Sequence, residues 1–281
     1  MNDLFTRFRV YAMPNGGVSM SYSVDTSFVL IEARYNEDNR EKIKAEMKLT
    51  GKETVDLLHI STWDGSRCNP DELLALLDEL QPLEIEYPAY VPSSDNEKKS
   101  KKIITEYLNH SMYADKFEIG HRTLKRLSEL PDIEYIDPIF SPIVVMTEEY
   151  DNSVVKLFKS GKFGVMNISL CKQDHDIIGQ IKDVGLEHYI NVLALDKFAD
   201  VEGADFLQQL IDLCQPGIIV SLTDRRFFMR KDEPLSKEGI RISISEQKDF
   251  IVKYGLSNYQ QALTQGDSSV VKNIEYKEYD L

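Results

Sequence analysis

Apolar runs alternate with polar turns and amphipathic segments along the first half of the chain. The run over residues 55–60 is rich in large aliphatic side chains and predicts a buried strand. A polar turn follows, and Asn69 and Pro70 then predict the start of a helix, because they suit its N-cap and first position. Its apolar face is predicted to consist of Leu73, Leu74, Leu76, Leu77 and Leu80. A loop held between a strand and a helix is a favourable place for ligands.

Other patterns predict further elements on either side of this loop. Helices are predicted over residues 37–49, with Gly51 as the stop, and over residues 121–130, closed by Pro131. A lysine-rich helix beginning near Glu97 has apolar positions spaced for one buried face, and its lysines are expected to be solvated. Residues 87–96 form a proline-broken loop, and residues 139–146 predict a strand.

The composition is typical of a globular chain with a full core. Of its 281 residues, 42% are hydrophobic and 28% charged, which fits one domain over residues 1–256 followed by a polar tail over residues 257–281. The formal net charge is −14, so most of the surface should repel a phosphate backbone. Nucleic acid is therefore not the expected partner.

Cysteine and histidine spacing gives little support to a metal or redox centre. Cys68, Cys171 and Cys214 are far apart, and no Cys-x-x-Cys occurs. With no signal peptide and no apolar run of membrane length, this pattern predicts a reducing cytoplasm and no membrane partner. His175, between two aspartates, is interpreted as part of a solvated cap and not as a metal ligand. His59 is expected to bond a neighbouring strand or loop.

Common catalytic motifs are also missing. The sequence contains no Gly-x-Ser-x-Gly elbow, no phosphate loop and no dinucleotide fingerprint. Ser61 or Ser66 remains open as a nucleophile, but sequence spacing assigns no base to either.

The loop after the predicted strand carries a family resemblance. Residues 60–67 read Ile-Ser-Thr-Trp-Asp-Gly-Ser-Arg, which resembles the Ile-Ser-His-x-Asp-x-Asp-His loop of the metallo-β-lactamase superfamily. The likeness is to the subgroup that includes the hydrolase-like domain of bacterial DNA-uptake proteins. Thr62 and Arg67 stand at the two histidine positions and Ser66 at that of the general base. Asp64 alone is retained.

Further segments resemble the family in the same order, over about residues 5 to 230. They are the N-terminal strand at 25–32, the strand that opens the second half at 152–157, the segment ending in Ile168-Ser169, the strand at 191–200, and the strand at 215–221. Ser169 occupies the position of the aspartate that bridges two metals. Lys197 and Phe198 align with the two histidines of a His-His-Gly motif, directly after Asp196.

The resemblance implies an α/β fold of the metallo-β-lactamase type, a four-layer αββα sandwich. At the ligand positions this chain offers one carboxylate and two fixed cations, which do not suit a dication. We therefore predict no metal, no cofactor and no catalytic residue. The positions concerned are Thr62, Asp64, Ser66, Arg67, Ser169 and Lys197.

The predicted function is binding, as a subunit of a bacterial complex, because a hydrolase architecture without its metal would be kept for its surface or its pocket. An atypical phosphodiesterase or nuclease-like hydrolase is the alternative from another class. A third possibility is an anionic, nucleotide-like ligand held by Arg67 and Lys197, unless these cations pair internally with Asp64 and Asp196. A protein interface is predicted at a cationic aromatic cluster, because such residues are enriched at interfaces. That cluster comprises Arg225, Arg226, Phe227, Phe228 and Arg230.

Overall fold

Two compact units divide the chain. The N-terminal unit comprises Arg7–Leu124, Ser245–Val252 and Lys277–Leu281, and the C-terminal unit comprises the remaining residues, chiefly Lys125–Ile244. The computed structural model describes residues 5–13, 16–24, 26–88, 90–109, 120–124, 143–146, 154–160, 163–169, 177–183, 187, 190–195, 201–221, 240–243, 248–255 and 275–280.

An eight-stranded sheet organises the N-terminal unit. Its strands are β1 (Phe5–Val10), β2 (Met20–Val24), β3 (Ser27–Ile31), β4 (Leu57–His59), β5 (Glu84–Pro88), β6 (Gly120–Leu124), β13 (Lys248–Gly255) and β14 (Glu275–Asp280). The strand order is β14-β13-β1-β2-β3-β4-β5-β6. β2 and β3 pair antiparallel, whereas β3, β4, β5 and β6 run parallel. The carboxyl ends of β3, β4 and β5 therefore meet at one edge, where α/β folds commonly hold ligands.

The described part of this unit contains three helices, namely α1 (Arg40–Leu49), α2 (Pro70–Leu80) and α3 (Asp95–Asn109). They share an apolar core with one face of the sheet. Leu30, Leu58 and Ile85 from three adjacent strands lie in the same buried cluster as Leu73 of α2 and Ile104 of α3. Burial of this apolar surface is the main favourable contribution to the stability of the unit.

The start of α2 is as predicted. The side-chain carbonyl of Asn69 accepts hydrogen bonds from the backbone N–H groups of Asp71 and Glu72, at 3.0 and 3.2 Å. Pro70 occupies the first turn, where a missing N–H costs nothing. The prediction that Leu74 belongs to the apolar face is wrong, because this side chain is 51% exposed. It lies on the side of the helix away from the core, since its three leucine neighbours at 73, 76 and 77 fill the buried face.

Two other predicted helices need correction. Residues 120–124 form the parallel strand β6, paired with β5 through Ile85 and His121, and not the start of a helix. Pairing with a neighbouring strand here overrides the local sequence pattern, and residues 125–130 lie outside the described part of the chain. α1 begins at Arg40, three residues after the predicted start at Glu37, and Gly51 ends it with a positive φ of 69°.

A six-stranded sheet organises the C-terminal unit. Its order is β12-β11-β10-β9-β8-β7. The elements are β7 (Ile143–Met146), β8 (Val154–Ser160), β9 (Phe163–Ser169), α4 (Ile177–Asp183), β10 (Val192–Leu195), α5 (Val201–Cys214), β11 (Ile218–Ser221) and β12 (Ile240–Ser243). β9 to β12 run parallel, and β7 and β8 are antiparallel additions. The strands β8, β9, β10 and β11 lie at the segments predicted at residues 152–157, 163–169, 191–200 and 215–221. Residues 152–153 and 196–200 of these segments lie outside the described part of the chain.

Two features bear on the predicted organisation of the chain. β14 shows that residues 275–280 join the eight-stranded sheet; the single domain to residue 256 with a tail beyond it stays a prediction. None of the described helices has the length and apolar character needed to cross a lipid bilayer.

Candidate functional site

The candidate site lies at the carboxyl ends of β3 and β4. Glu32 follows β3 directly, and the loop of residues 60–69 leads from β4 into α2. The backbone joins these segments, because the N–H of Glu32 donates to the carbonyl of His59 at 2.7 Å and that of Ala33 to the carbonyl of Arg67 at 2.7 Å. The loop is therefore attached to the sheet at both of its ends.

The loop carries its polar side chains in two different environments. Thr62 is fully buried, and its hydroxyl accepts the N–H of Asp64 at 3.1 Å. Asp64 and Ser66 are exposed. The Oδ1 atom of Asp64 accepts the backbone N–H of Ser66 at 2.8 Å and also its hydroxyl. The one retained carboxylate thus closes a local turn.

Arg67 is fully buried and forms an ion pair with Glu32. Its Nη1 lies 2.6 Å from Oε1 of Glu32 and 3.5 Å from the hydroxyl of Ser61. Both members of the ion pair have side chains with 0% exposure. The sequence suggested Asp64 as the internal partner of Arg67; the acidic partner that the structure places against it is Glu32.

Glu32 is a residue of the site that the sequence interpretation missed. Besides Arg67, its carboxylate accepts the backbone N–H of Ser61 at 3.1 Å and the hydroxyl of Ser61 at 2.5 Å. Its backbone has a positive φ of 67°, which is uncommon for a residue with a Cβ. Glu32 fell inside the predicted strand over residues 25–32 and was therefore not considered as a site residue. The only sequence signal was a carboxylate directly after an apolar strand.

A second ion pair holds the exposed part of the loop. Arg34 contacts Glu72 through two hydrogen bonds, at 2.7 and 2.8 Å, and its Nη1 donates to the carbonyls of Gly65 and Ser66 at 3.3 and 3.4 Å. The carbonyl of Ser66 also accepts the N–H of Val18 at 2.9 Å. Burial acts to raise the pKa of Glu72, but the hydrogen bond and the positive charge of Arg34 outweigh it and keep the pKa below its usual range.

The chain's single tryptophan belongs to this loop. Trp63 is fully buried, and its ring centroid lies 5.7 Å from that of Tyr87 on β5. Its backbone N–H donates to the hydroxyl of Tyr90 at 2.8 Å, and its indole N–H donates to the carbonyl of Tyr90 at 3.3 Å. The fluorescence of Trp63 therefore reports on the loop itself.

His59 has the kind of partner that was predicted for it. Its Nδ1 lies 3.2 Å from Oε2 of Glu86 on the adjacent strand, and both residues are buried. They are register partners on β4 and β5, and Arg122 on β6 is the register partner of Glu86. A buried polar pair, His59 and Glu86, thus lies next to the candidate loop.

Of the remaining predicted site residues, only Ser169 lies within the part of the chain that the structure describes. Ser169 is the last residue of β9 in the C-terminal unit, paired with Val154. Asp196, Lys197 and Phe198 lie outside the described residues, as does the turn around His175. The same is true of the predicted interface cluster, which comprises Arg225, Arg226, Phe227, Phe228 and Arg230.

The described cysteines are not suited to thiolate chemistry. Cys68 lies near the end of the loop and Cys214 ends α5; both are buried and free. Burial raises the pKa of each thiol to about 12, so both are protonated at neutral pH. Cys171 lies outside the described residues.

The donor groups of the loop do not fit a catalytic metal. Zinc requires several imidazole, thiolate or carboxylate donors that converge on one point. Within the described part of the chain, no group of three or more such side chains converges in this way. Arg67 instead carries a permanent positive charge at a loop position where the resemblance would require a histidine.

Comparison with known proteins shows the fold. The structure is similar to the metallo-β-lactamase fold protein YhfI from Bacillus subtilis, with a TM-score of 0.50 and 11% sequence identity, covering 85% of this chain and 96% of that one. It is also similar to the β-hydroxylase CmlA, with a TM-score of 0.50 and 8% identity, covering 89% of this chain and 54% of that one. No protein-family model matches the sequence, and no curated protein sequence matches it.

The class that these observations define is that of metallo-β-lactamase-like folds. The chain is an α/β protein with two mixed sheets and helices, and its likeness to YhfI extends over nearly the whole of that protein. The predicted fold class is therefore confirmed. At this level of sequence identity the likeness concerns the fold, and function has to be argued from the site.

Proposed function

We propose that this chain is a metal-free protein of the metallo-β-lactamase fold that acts by binding, as a subunit of a bacterial complex. The observation that carries the proposal is the fully buried ion pair of Arg67 and Glu32. It stands in the loop that resembles the ligand-bearing loop of the hydrolases. On this proposal the metal site is degenerate, and the positive charge of the Arg67 guanidinium takes the place of the positive charge of a metal ion.

The chemistry of the loop supports this proposal over a hydrolase. A guanidinium is always protonated in proteins and donates hydrogen bonds without accepting any, so it cannot ligate a cation. A dication brought next to Arg67 would also be repelled, and strongly so in a buried site of low dielectric. The hydroxyls of Thr62 and Ser66 are weak ligands and are already engaged with the loop backbone and with Asp64.

An atypical phosphodiesterase or nuclease-like activity remains the alternative. Both serines of the loop have a carboxylate beside their hydroxyl: that of Ser61 lies 2.5 Å from Glu32, and that of Ser66 contacts Asp64. The Asp64 carboxylate is also bonded to the backbone N–H of Ser66, in a local turn. Ser61 is, however, fully buried, so a substrate could not reach its hydroxyl in this conformation. A serine mechanism is therefore less well supported than binding.

An anionic, nucleotide-like ligand remains the second binding hypothesis. It requires Arg67 to bind the ligand, yet its Nη1 already contacts Glu32, which favours internal pairing for this cation. The contribution of Lys197 stays a prediction. Stabilisation of the native protein by nucleotides, but not of a chain with Arg67→Ala and Lys197→Ala, would support ligand binding.

The binding partner that we favour is another protein. We propose that it contacts the cationic aromatic cluster around Phe227 and Phe228, since most of the acidic chain would repel nucleic acid. We also propose that the chain is similar to the hydrolase-like domain of DNA-uptake proteins, that it is bacterial, and that it acts in the cytoplasm. Exchanging Arg226 and Arg230 for glutamate is expected to abolish partner binding without lowering the melting temperature.

Elemental analysis of the purified chain tests the metal-free function. The protein should be produced in medium supplemented with zinc, manganese and iron, and compared with its Asp64→Asn variant. We expect far less than one metal ion per chain in both proteins. About one ion per chain in the native protein, lost in the variant, would contradict the proposal and favour the hydrolase.

A further inference from the structure

An ion pair between two side chains of the chain, Glu32 after β3 and Arg67 in the loop after β4, joins the ends of these strands. Glu32 and Arg67 are separated by 35 residues in the sequence. Their ion pair and the hydrogen bond from Ala33 N–H to the carbonyl of Arg67 join the same two segments. The N–H and the hydroxyl of Ser61 add two further contacts to the Glu32 carboxylate. The buried Glu32 carboxylate thus links the end of β3 to two positions of the loop, Ser61 and Arg67.

The geometry of Glu32 indicates that this point is held under constraint. Its φ of 67° lies in the left-handed region, where a residue with a Cβ is strained. Such a conformation persists only when the surrounding contacts fix it. The backbone N–H of Glu32 makes one such contact, to the carbonyl of His59 at 2.7 Å. Its carboxylate makes the others, with the Arg67 guanidinium and with both the N–H and the hydroxyl of Ser61.

A buried carboxylate of this kind needs a cation. Removing one partner of a buried ion pair leaves an uncompensated charge, which is far more harmful than the loss of an exposed pair. In a metal hydrolase a bound cation can supply such a charge. In this chain Arg67 supplies it, and because the charge is covalently attached it cannot be lost to a chelator or exchanged.

We propose that the Arg67 guanidinium replaces a metal cation as the charge that closes the loop onto Glu32. This inference rests on the proposed metal-free function and adds the means by which the loop keeps its structure. Without Arg67, the loop should depend on an external cation, and that dependence should require Glu32.

The test uses the whole chain and four proteins: native, Arg67→Ala, Glu32→Gln and the double variant. Melting temperature and the emission of Trp63 are measured with and without millimolar methylguanidinium or Mg²⁺. We expect Arg67→Ala to melt about 10 °C below the native protein and to have red-shifted emission. Either cation should reverse part of both changes in Arg67→Ala, and neither should affect the native protein or the double variant.

The double variant and a surface control decide between a charge and a packing role. Removing both charges should cost less than the sum of the single losses, since no uncompensated carboxylate remains. Arg40→Met removes a partly exposed partner of Glu79 and should change the melting temperature little. Additive losses, or equal cation effects with and without Glu32, would overturn the inference.

Two further variants keep the test decisive if Arg67→Ala does not fold. Arg67→Lys retains a cation without the planar fork, whereas Arg67→Met retains bulk without the charge. We expect the lysine variant to melt clearly above the methionine variant, and equal melting would contradict the inference. Failure here, with no metal in the native protein, would refute the role of Arg67 while leaving the metal-free function standing.

Discussion

Trp63 and Tyr90 are joined by two hydrogen bonds that run between different parts of each residue. The backbone N–H of Trp63 donates to the Tyr90 hydroxyl at 2.8 Å, and its indole N–H donates to the Tyr90 carbonyl at 3.3 Å. Burial raises the pKa of the Tyr90 hydroxyl above its usual range, although its hydrogen bond to Trp63 acts in the opposite direction. Tyr90 therefore stays neutral and holds the loop from the side of β5.

Removing the Tyr90 hydroxyl should loosen the loop without breaking the core. Tyr90→Phe leaves the backbone N–H of Trp63 without that acceptor, which we expect to lower the free energy of unfolding by about 1–2 kcal/mol. Urea unfolding followed by Trp63 fluorescence measures this change. Tyr87→Phe is the matched control, since Tyr87 contacts Trp63 through its ring. Equal effects of the two variants would argue against the hydrogen bond.

Gly17 should not accept a side chain, because it supports the same loop. A Cβ at this position would overlap Nη1 of Arg34 and lie 2.9 Å from the carbonyl of Ser66, and the φ of Gly17 is 117°. We expect Gly17→Ala to lower the free energy of unfolding by more than about 2 kcal/mol.

Gly16→Ala provides the control for backbone strain alone. Gly16 also has a positive φ, of 82°, but no atom lies within 4 Å of the position that a Cβ would take there. Its substitution should therefore cost only about 1 kcal/mol. If chemical denaturation gave both variants the same stability, the close packing of Gly17 against Arg34 would be refuted.

The Asn69 cap should make a measurable contribution to α2. Asn69→Ala removes the acceptor for the N–H groups of Asp71 and Glu72, with an expected loss of about 1 kcal/mol in unfolding free energy. Asn69→Asp keeps an acceptor at the same place and should retain most of the stability. A loss in the aspartate variant as large as in the alanine variant would contradict the capping role.

Acid should weaken the protein partly through Glu72. Its pKa is lower in the folded state than its ordinary value of 4.5, so the unfolded chain binds a proton more readily. The stabilisation from the Arg34–Glu72 pair is therefore present above that ordinary value and is lost as the pH falls through the lower, folded-state pKa. We expect Glu72→Gln to be less stable at neutral pH and less sensitive to acid.

Urea unfolding between pH 7 and pH 3 measures this difference. Arg34→Met serves as the partner variant, because it removes the charge that lowers the pKa while keeping the carboxyl group. Its acid sensitivity should also be reduced. An acid dependence in both variants as steep as in the native protein would show that other groups control it.

The sequence was sufficient for the elements whose signals are local. The run before His59, the Asn69–Pro70 start of α2 and the Gly51 stop of α1 depend on side chains close to the backbone they affect. It was insufficient where distant residues decide. The strand at residues 120–124 forms because β5 lies beside it, and its own pattern had predicted a helix.

The candidate site shows the same division. The loop frame could be recognised from residues 60–67, because strand, turn and helix start follow one another in sequence. The partner of Arg67 could not, since Glu32 lies 35 residues earlier and is drawn in by the parallel pairing of β3 with β4. Arg34 and Glu72 were missed for the same reason, being 38 residues apart.

The most direct test of the account is the thermal unfolding of the native protein with and without a chelator. Metal binding contributes to folding in proteins built around it, so its removal lowers the melting temperature. A loop closed by Arg67 and Glu32 predicts melting temperatures that agree within about 1 °C in excess chelator, in buffer alone and with added zinc. A fall of several degrees in the chelator, reversed by zinc, would contradict it.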